Sequence, residues 1–114
     1  MSATDTVRAM FAAYRAQDRA AAEALIGEDF HFTSPRDERI DRAAFFARCF
    51  PTADRFTRQD LLQVVPGEGE DVFTLYEYDL ADGGGTFRNT EVSTVRDGLV
   101  VETQVFFGGA VTGS

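Results

Sequence analysis

Thr90-Glu91-Val92-Ser93-Thr94-Val95-Arg96-Asp97-Gly98-Leu99-Val100-Val101-Glu102-Thr103-Gln104-Val105-Phe106-Phe107 is the stretch that decides the fold. Asp-Gly between two runs rich in β-branched residues is the composition of a two-residue type I′ turn, which needs positive φ at both central positions. Such a turn pairs Arg96 with Leu99, Thr94 with Val101, Val92 with Thr103 and Thr90 with Val105, and paired residues share a face. That face is mostly apolar, ends at Phe107 and is assigned to the core. The opposite face pairs Ser93 with Glu102, Glu91 with Gln104 and Asn89 with Phe106, and also carries Val95 and Val100; it is assigned to the outside.

Upstream of the hairpin the period stays at two back to Phe56, with turn signals at Pro66-Gly67 and Asp82-Gly83-Gly84-Gly85. The second half of the chain therefore reads as a four-strand meander. In the strand before the hairpin, Val72, Thr74, Tyr76, Tyr78 and Leu80 form an uncharged row expected to face inward, alternating with Phe73, Leu75, Glu77 and Asp79. Farther upstream, Asp29-Phe30-His31-Phe32-Thr33-Ser34 alternates aromatic with polar as a half-buried strand does, pointing Phe30 and Phe32 inward, and Pro35 ends it.

The remaining segments have helical periods. Val7, Met10, Phe11 and Tyr14 fall at i, i+3, i+4 and i+7, one face of a helix over roughly residues 5 to 17. Asp18 caps a second short helix through Leu25-Ile26, with Gly27 as its left-handed stop. Asp41 caps a third, Arg42 to Phe50, which Pro51 ends. The charged run Arg36-Asp37-Glu38-Arg39 through Asp41 reads as a solvated loop, with a gate at a pocket mouth as its functional alternative.

Length and composition fit one packed domain over residues 1–114: 44% of residues are hydrophobic and 26% charged. Eleven arginines against 19 carboxylates give a net charge of −8, which repels phosphate backbones and anionic lipid, so neither nucleic acid nor a membrane surface is expected as partner. The excess lies in residues 59–114, where Arg88 and Arg96 face ten carboxylates. One cysteine, Cys49, excludes an internal disulfide and fits a reducing cytoplasm. No apolar stretch approaches the ~20 residues of a membrane span, and the sequence from Met1 lacks the pattern of a signal peptide.

The order helix, helix, strand, helix, four strands is one α+β unit. With Phe11-Ala12-Ala13-Tyr14-Arg15-Ala16-Gln17-Asp18 before the second helix, Asp29 to Pro35 as first strand, and Arg96-Asp97-Gly98-Leu99-Val100 leading to Phe106-Phe107-Gly108-Gly109, it resembles the SnoaL-like branch of the nuclear transport factor 2-like superfamily. The resemblance covers nearly the whole chain and implies a cone-shaped roll: a curved, mainly antiparallel sheet wrapped on three helices around an apolar pocket, usually as a dimer. It also implies where catalytic groups of relatives would fall. The base of ketosteroid isomerases maps to Ser34, which has no basic group near neutral pH. Their tyrosine donor maps to Met10, one turn before Tyr14, and the protonated acid of their oxyanion hole maps to Thr90, or to Glu91 if the turn is one residue shorter. An aspartate of limonene-epoxide-hydrolase-like members maps to Val105. Neither best-known activity finds its residues here.

His31, Tyr14 and Tyr76 are the candidate acid–base residues, although alternation turns His31 outward. Met10, Tyr14, Phe32, Ser34, Phe46, Tyr76, Thr90, Thr103 and Phe107 are the candidate ligand contacts. One histidine and one cysteine offer no metal-ligand spacing, and no glycine-rich phosphate loop precedes a helix, so no metal or cofactor is expected. Phe87, Val95, Val100 and Phe106, read as an apolar outer patch, predict a homodimer. The chain is thus expected to bind a small hydrophobic carbonyl compound, as a cofactor-independent isomerase or cyclase or, alternatively, to serve as a non-catalytic assembly module whose cavity is packed shut.

Overall fold

In the computed structural model, which describes residues 1–111, the chain runs α1 (Ala3–Ala16), α2 (Arg19–Leu25), β1 (Ile26–Ser34), β2 (Asp37–Asp41), α3 (Arg42–Arg48), a 3-10 helix (Phe50–Arg55), β3 (Phe56–Pro66), β4 (Asp71–Leu80), β5 (Thr86–Arg96) and β6 (Leu99–Ala110). The six strands form one mixed sheet in the order β2-β1-β6-β5-β4-β3, antiparallel except where β1 lies parallel to β6. The helices cover one face of it. Among the described residues no helix is long and apolar enough to cross a membrane.

Helix starts follow their caps. Ser2 and Asp5 form a reciprocal capping box on α1, Asp18 accepts from Ala21 N at 3.1 Å and Asp41 from Ala44 N at 2.9 Å, each satisfying a donor that the first turn leaves free. Val7 and Phe11 of α1 are buried, and the Phe11 ring meets Tyr76 of β4 edge-on at 5.2 Å, which docks the helix onto the sheet.

Helix ends depart from the sequence reading. Gly27 is no left-handed stop: Ile26 is already extended at φ −110°, so β1 begins where α2 ends. The third helix stops at Arg48, and Pro51 lies in the first turn of the 3-10 helix instead of terminating the third helix. There its missing N–H costs nothing. The charged stretch after Pro35 is a strand, not a loop: β2 pairs His31 with Asp41 and Phe32 with Ile40. As an edge strand it has one side on water, which its charges suit and which hides the alternation that marks a buried strand.

The most consequential difference lies in the hairpin. Asp97 and Gly98 have φ of 53° and 78°, as the type I′ turn requires, and Arg96 pairs with Leu99. Two residues later the ladder slips: Val95 pairs with Val100, but Thr94 pairs with Glu102, leaving Val101 as a β-bulge. Beyond it Thr103 and Val105 face inward as expected, opposite Ser93 and Glu91 instead of Val92 and Thr90. The inner row of β5 is therefore Phe87, Asn89, Glu91, Ser93 and Val95, and Thr90 faces out. The apolar outer patch is corrected with it: Val95 and Val100 are core residues, 8% and 2% exposed, and Phe87 lines the interior. Of the four residues only Phe106 remains exposed on the outer face.

A second irregularity follows at the other end of the pair, where Phe87 meets Ala110 and Asn89 meets Phe107. Gly108 allows it, since a Cβ there would sit 2.4 Å from the Arg88 carbonyl oxygen.

Candidate functional site

Between the inner sheet face and the helices lies a cavity of about 540 Å³, within the range of small-molecule sites. Its walls are largely aromatic and aliphatic, from Val7, Phe11, Phe30, Phe45 and Val105 among others. Of the expected contacts, Met10, Tyr14, Phe32, Ser34, Tyr76, Thr103 and Phe107 lie on its lining. Two do not. Thr90 is on the outer face for the reason given above, and Phe46 is 2% exposed in the core, its ring between the Arg19 and Arg42 guanidiniums at 4.9 and 5.1 Å.

The candidate acid–base residues separate clearly. His31 lies on the opposite face of β1, in a shallow surface groove with Asp29, Arg39 and Glu102. Tyr14 lines the cavity, but its hydroxyl is 2.7 Å from Thr52 Oγ1, and Thr52 gives its own hydrogen to the Cys49 carbonyl at 2.7 Å. Tyr14 is therefore the donor to Thr52 and has no proton left for a ligand. Ser34 donates to Asp37 Oδ2 at 3.0 Å and accepts from Arg36 N at 3.1 Å, which spends its hydroxyl on the turn to β2.

Tyr76 is placed differently. Its oxygen accepts from Asn89 Nδ2 at 3.2 Å, while Asn89 Oδ1 accepts from the Tyr78 hydroxyl at 3.3 Å and from Gly108 N at 3.4 Å. The amide is held from both ends, so the Tyr76 oxygen receives a proton and its own O–H is directed elsewhere. Burial pushes the Tyr76 hydroxyl well above the usual phenol range, with the nearby Glu91 carboxylate adding to the shift.

Glu91 is the residue the sequence reading placed on the wrong side. It is half-buried, on the cavity lining, and burial raises its carboxyl from 4.5 to about 7, with the Tyr76 hydroxyl opposing the shift by hydrogen bonding. No arginine neutralises it among the described ion pairs. Across the ladder stands Thr74, whose buried Oγ1 has no partner among the described residues; Gln59 Oε1, on the same lining, is also buried and unpartnered. Gln59 lines the cavity, so its Oε1 is the one of the two that a ligand there would satisfy; Thr74 lies behind the lining. The sequence leaves the face open at this point: Leu99-Val100-Val101 is three apolar residues in a row, so each face receives an apolar residue in either register and alternation alone does not choose the inner one.

Cys49 is half-buried on the lining, and burial pushes its thiol up to about 11, with Asp37 reinforcing the effect; it is a poor nucleophile near neutrality. No group of three or more metal-ligating side chains gathers among the described residues.

Comparison with known proteins agrees with this architecture. A family model described as a SnoaL-like domain matches residues 7–103. An NTF-2 like protein of unknown function from Burkholderia xenovorans LB400 superposes with a TM-score of 0.78 at 20% identity, over 98% of this chain and 87% of that one. Bal32a, from a soil-derived mobile gene cassette, gives 0.77 at 23% identity over 93% and 88%. An LEH-like epoxide hydrolase of M. tuberculosis gives 0.72 at 19% identity over 92% and 81%. At these identities the likeness is one of fold. No curated protein matches the sequence.

Proposed function

The chain belongs to the SnoaL-like domain family, and from that premise we propose that its cavity receives a small, mostly apolar carbonyl compound and moves a proton on it, with Glu91 as the proton carrier and Tyr76 as the donor to the carbonyl oxygen. The observation that carries this reading is a carboxyl with no ion-pair partner among the described residues on the lining of an apolar cavity, pushed up to about 7 by burial, beside a phenol that stays protonated. A general base works best when its pKa lies near the working pH.

In its ionised form Glu91 takes a proton from the carbon next to the carbonyl. The electron pair of the broken C–H bond moves into the carbonyl, giving an enolate whose charge rests on oxygen. Tyr76, whose O–H serves the Glu91 carboxylate in the resting site, gives it to that oxygen once Glu91 has taken the proton, and the apolar walls strengthen the bond by excluding water. Glu91 then returns the proton to the same carbon or to a conjugated one, so the net change is exchange or isomerisation with no cofactor consumed. This assignment does not copy the isomerase pattern, in which the base would stand at Ser34. Instead it uses the carboxyl that the bulge turns inward.

An open cavity supports this reading over that of an assembly module packed shut by its own aromatic side chains. The test is proton exchange on a panel of apolar cyclic ketones in deuterated water, followed by mass spectrometry. The protein should accelerate exchange at the α-carbon of at least one of them, with a pH profile turning near 7, and Glu91→Gln should lower the rate by about 100-fold. An equal rate in the variant would overturn the assignment.

A further inference from the structure

Three elements bring cations to the edge of the cavity. Arg36 comes from the turn between β1 and β2, Arg48 from the last position of α3 and Arg55 from the end of the 3-10 helix; all three are exposed and all three line the cavity. Exposed lining residues mark its mouth, where Phe107 also stands, 51% exposed. Carboxylates outnumber arginines by 19 to 11 in the whole chain, yet among the described residues the carboxylates on this lining are Asp37 and Glu91 alone. Asp37 lies 3.5 Å from Arg48 and already accepts the Ser34 hydroxyl. Arg36 and Arg55 have no ion-pair partner among the described residues. By contrast, Arg88 and Arg96, away from the cavity, are paired at 2.8 and 2.9 Å.

We infer that the ligand is an amphipathic monoanion: an apolar body that enters the cavity and one carboxylate that stays at the mouth between Arg36, Arg48 and Arg55. This inference rests on the cavity's being the ligand site, as argued above, and adds to it the charge and polarity of what enters. A mouth of one sign over low-dielectric walls concentrates ions of the opposite sign, and guanidinium forks match a carboxylate in shape as well as charge. The same geometry fixes orientation. A carboxylate pushed inward would meet Glu91 without a counterion, whereas at the mouth it stays hydrated and leaves the apolar end against the Glu91–Tyr76 wall.

Titration calorimetry with decanoate and with decan-1-ol, each below its aggregation concentration, tests this on the intact protein. At 20 mM salt decanoate should bind at least tenfold more tightly than the alcohol. The preference should fall below twofold at 0.5 M NaCl and in the Arg36→Gln/Arg48→Gln/Arg55→Gln variant, while binding of the alcohol stays unchanged. The salt arm needs no substitution and so reads the effect in the native fold. Equal binding of alcohol and acid at low salt would overturn the anion inference and leave the apolar-site reading standing. No binding of either would overturn both.

Discussion

The two faces of the β4–β5 pair hold the same kind of side chain in opposite states. On the outer face Asp79 receives a two-pronged bond from Arg58, both contacts at 2.9 Å, and that guanidinium, helped by Thr86, holds the carboxyl down to about 2. Glu77 beside it is likewise lowered by Arg58 and Arg88, each 2.8 Å away. On the inner face, directly across from Thr74 in the same pair of strands, Glu91 has no ion-pair partner among the described residues, and burial raises it to about 7. Environment rather than residue type decides which carboxylate is a surface charge and which is a reagent.

The largest consequence is thermodynamic. Between pH 4.5 and 7 the folded protein keeps a proton on Glu91 that the unfolded chain has released, so the folded state binds more protons and stability falls as pH rises through this window, then levels off. The full difference is about 3 kcal/mol. Glu91→Gln removes the charge that must be buried above pH 7. It should therefore raise the melting temperature at pH 8 by on the order of 10 °C and change it little at pH 4.5. A shift of the same size at both pH values would break the contrast between the faces.

A smaller effect tests the bulge that creates the contrast. Val100 is 2% exposed in the core, so Val100→Ala should cost about 2 kcal/mol in denaturant unfolding. If Val100 lay on the outer face, as an unbulged hairpin requires, the cost would be near zero.

The smallest effect belongs to the outer face. Arg58→Met removes three ion pairs with Asp60, Glu77 and Asp79, yet these lie in water and are screened by salt. Melting should drop slightly at low salt and match the parent at 1 M NaCl, and a large, salt-independent loss would show that this network supports the fold more than its solvation allows.

Much of this was legible in the sequence. The caps at Asp18 and Asp41, the i, i+3, i+4, i+7 face from Val7 to Tyr14, the inner row of β4 and the Asp97-Gly98 turn all follow from local rules, since each depends on a few neighbouring residues. What escaped depended on a ladder. Strand alternation carries a face assignment from residue to residue, so one extra residue at Val101 moved Thr90, Asn89, Glu91, Ser93 and Val95 to the wrong side together. The candidate site suffered most from this. Alternation puts Tyr76 on the inner row because β4 has no such slip, whereas alternation carried through an unbulged hairpin turns Glu91 outward. The strand β2 escaped for a different reason: at a sheet edge, charges suit both a strand and a loop.

The register, the cavity chemistry and the pH dependence all turn on the state of one carboxyl. Carbon-13 NMR of the protein labelled at glutamate Cδ, with the Glu91 signal assigned by its absence in Glu91→Gln, would follow that group from pH 4 to 9. A midpoint near 7 is the predicted result, in a signal distinct from Glu77, which should titrate below the ordinary range. A midpoint near 4.5 for Glu91 would place it in water and contradict the inward register, the cavity chemistry and the pH dependence of stability together.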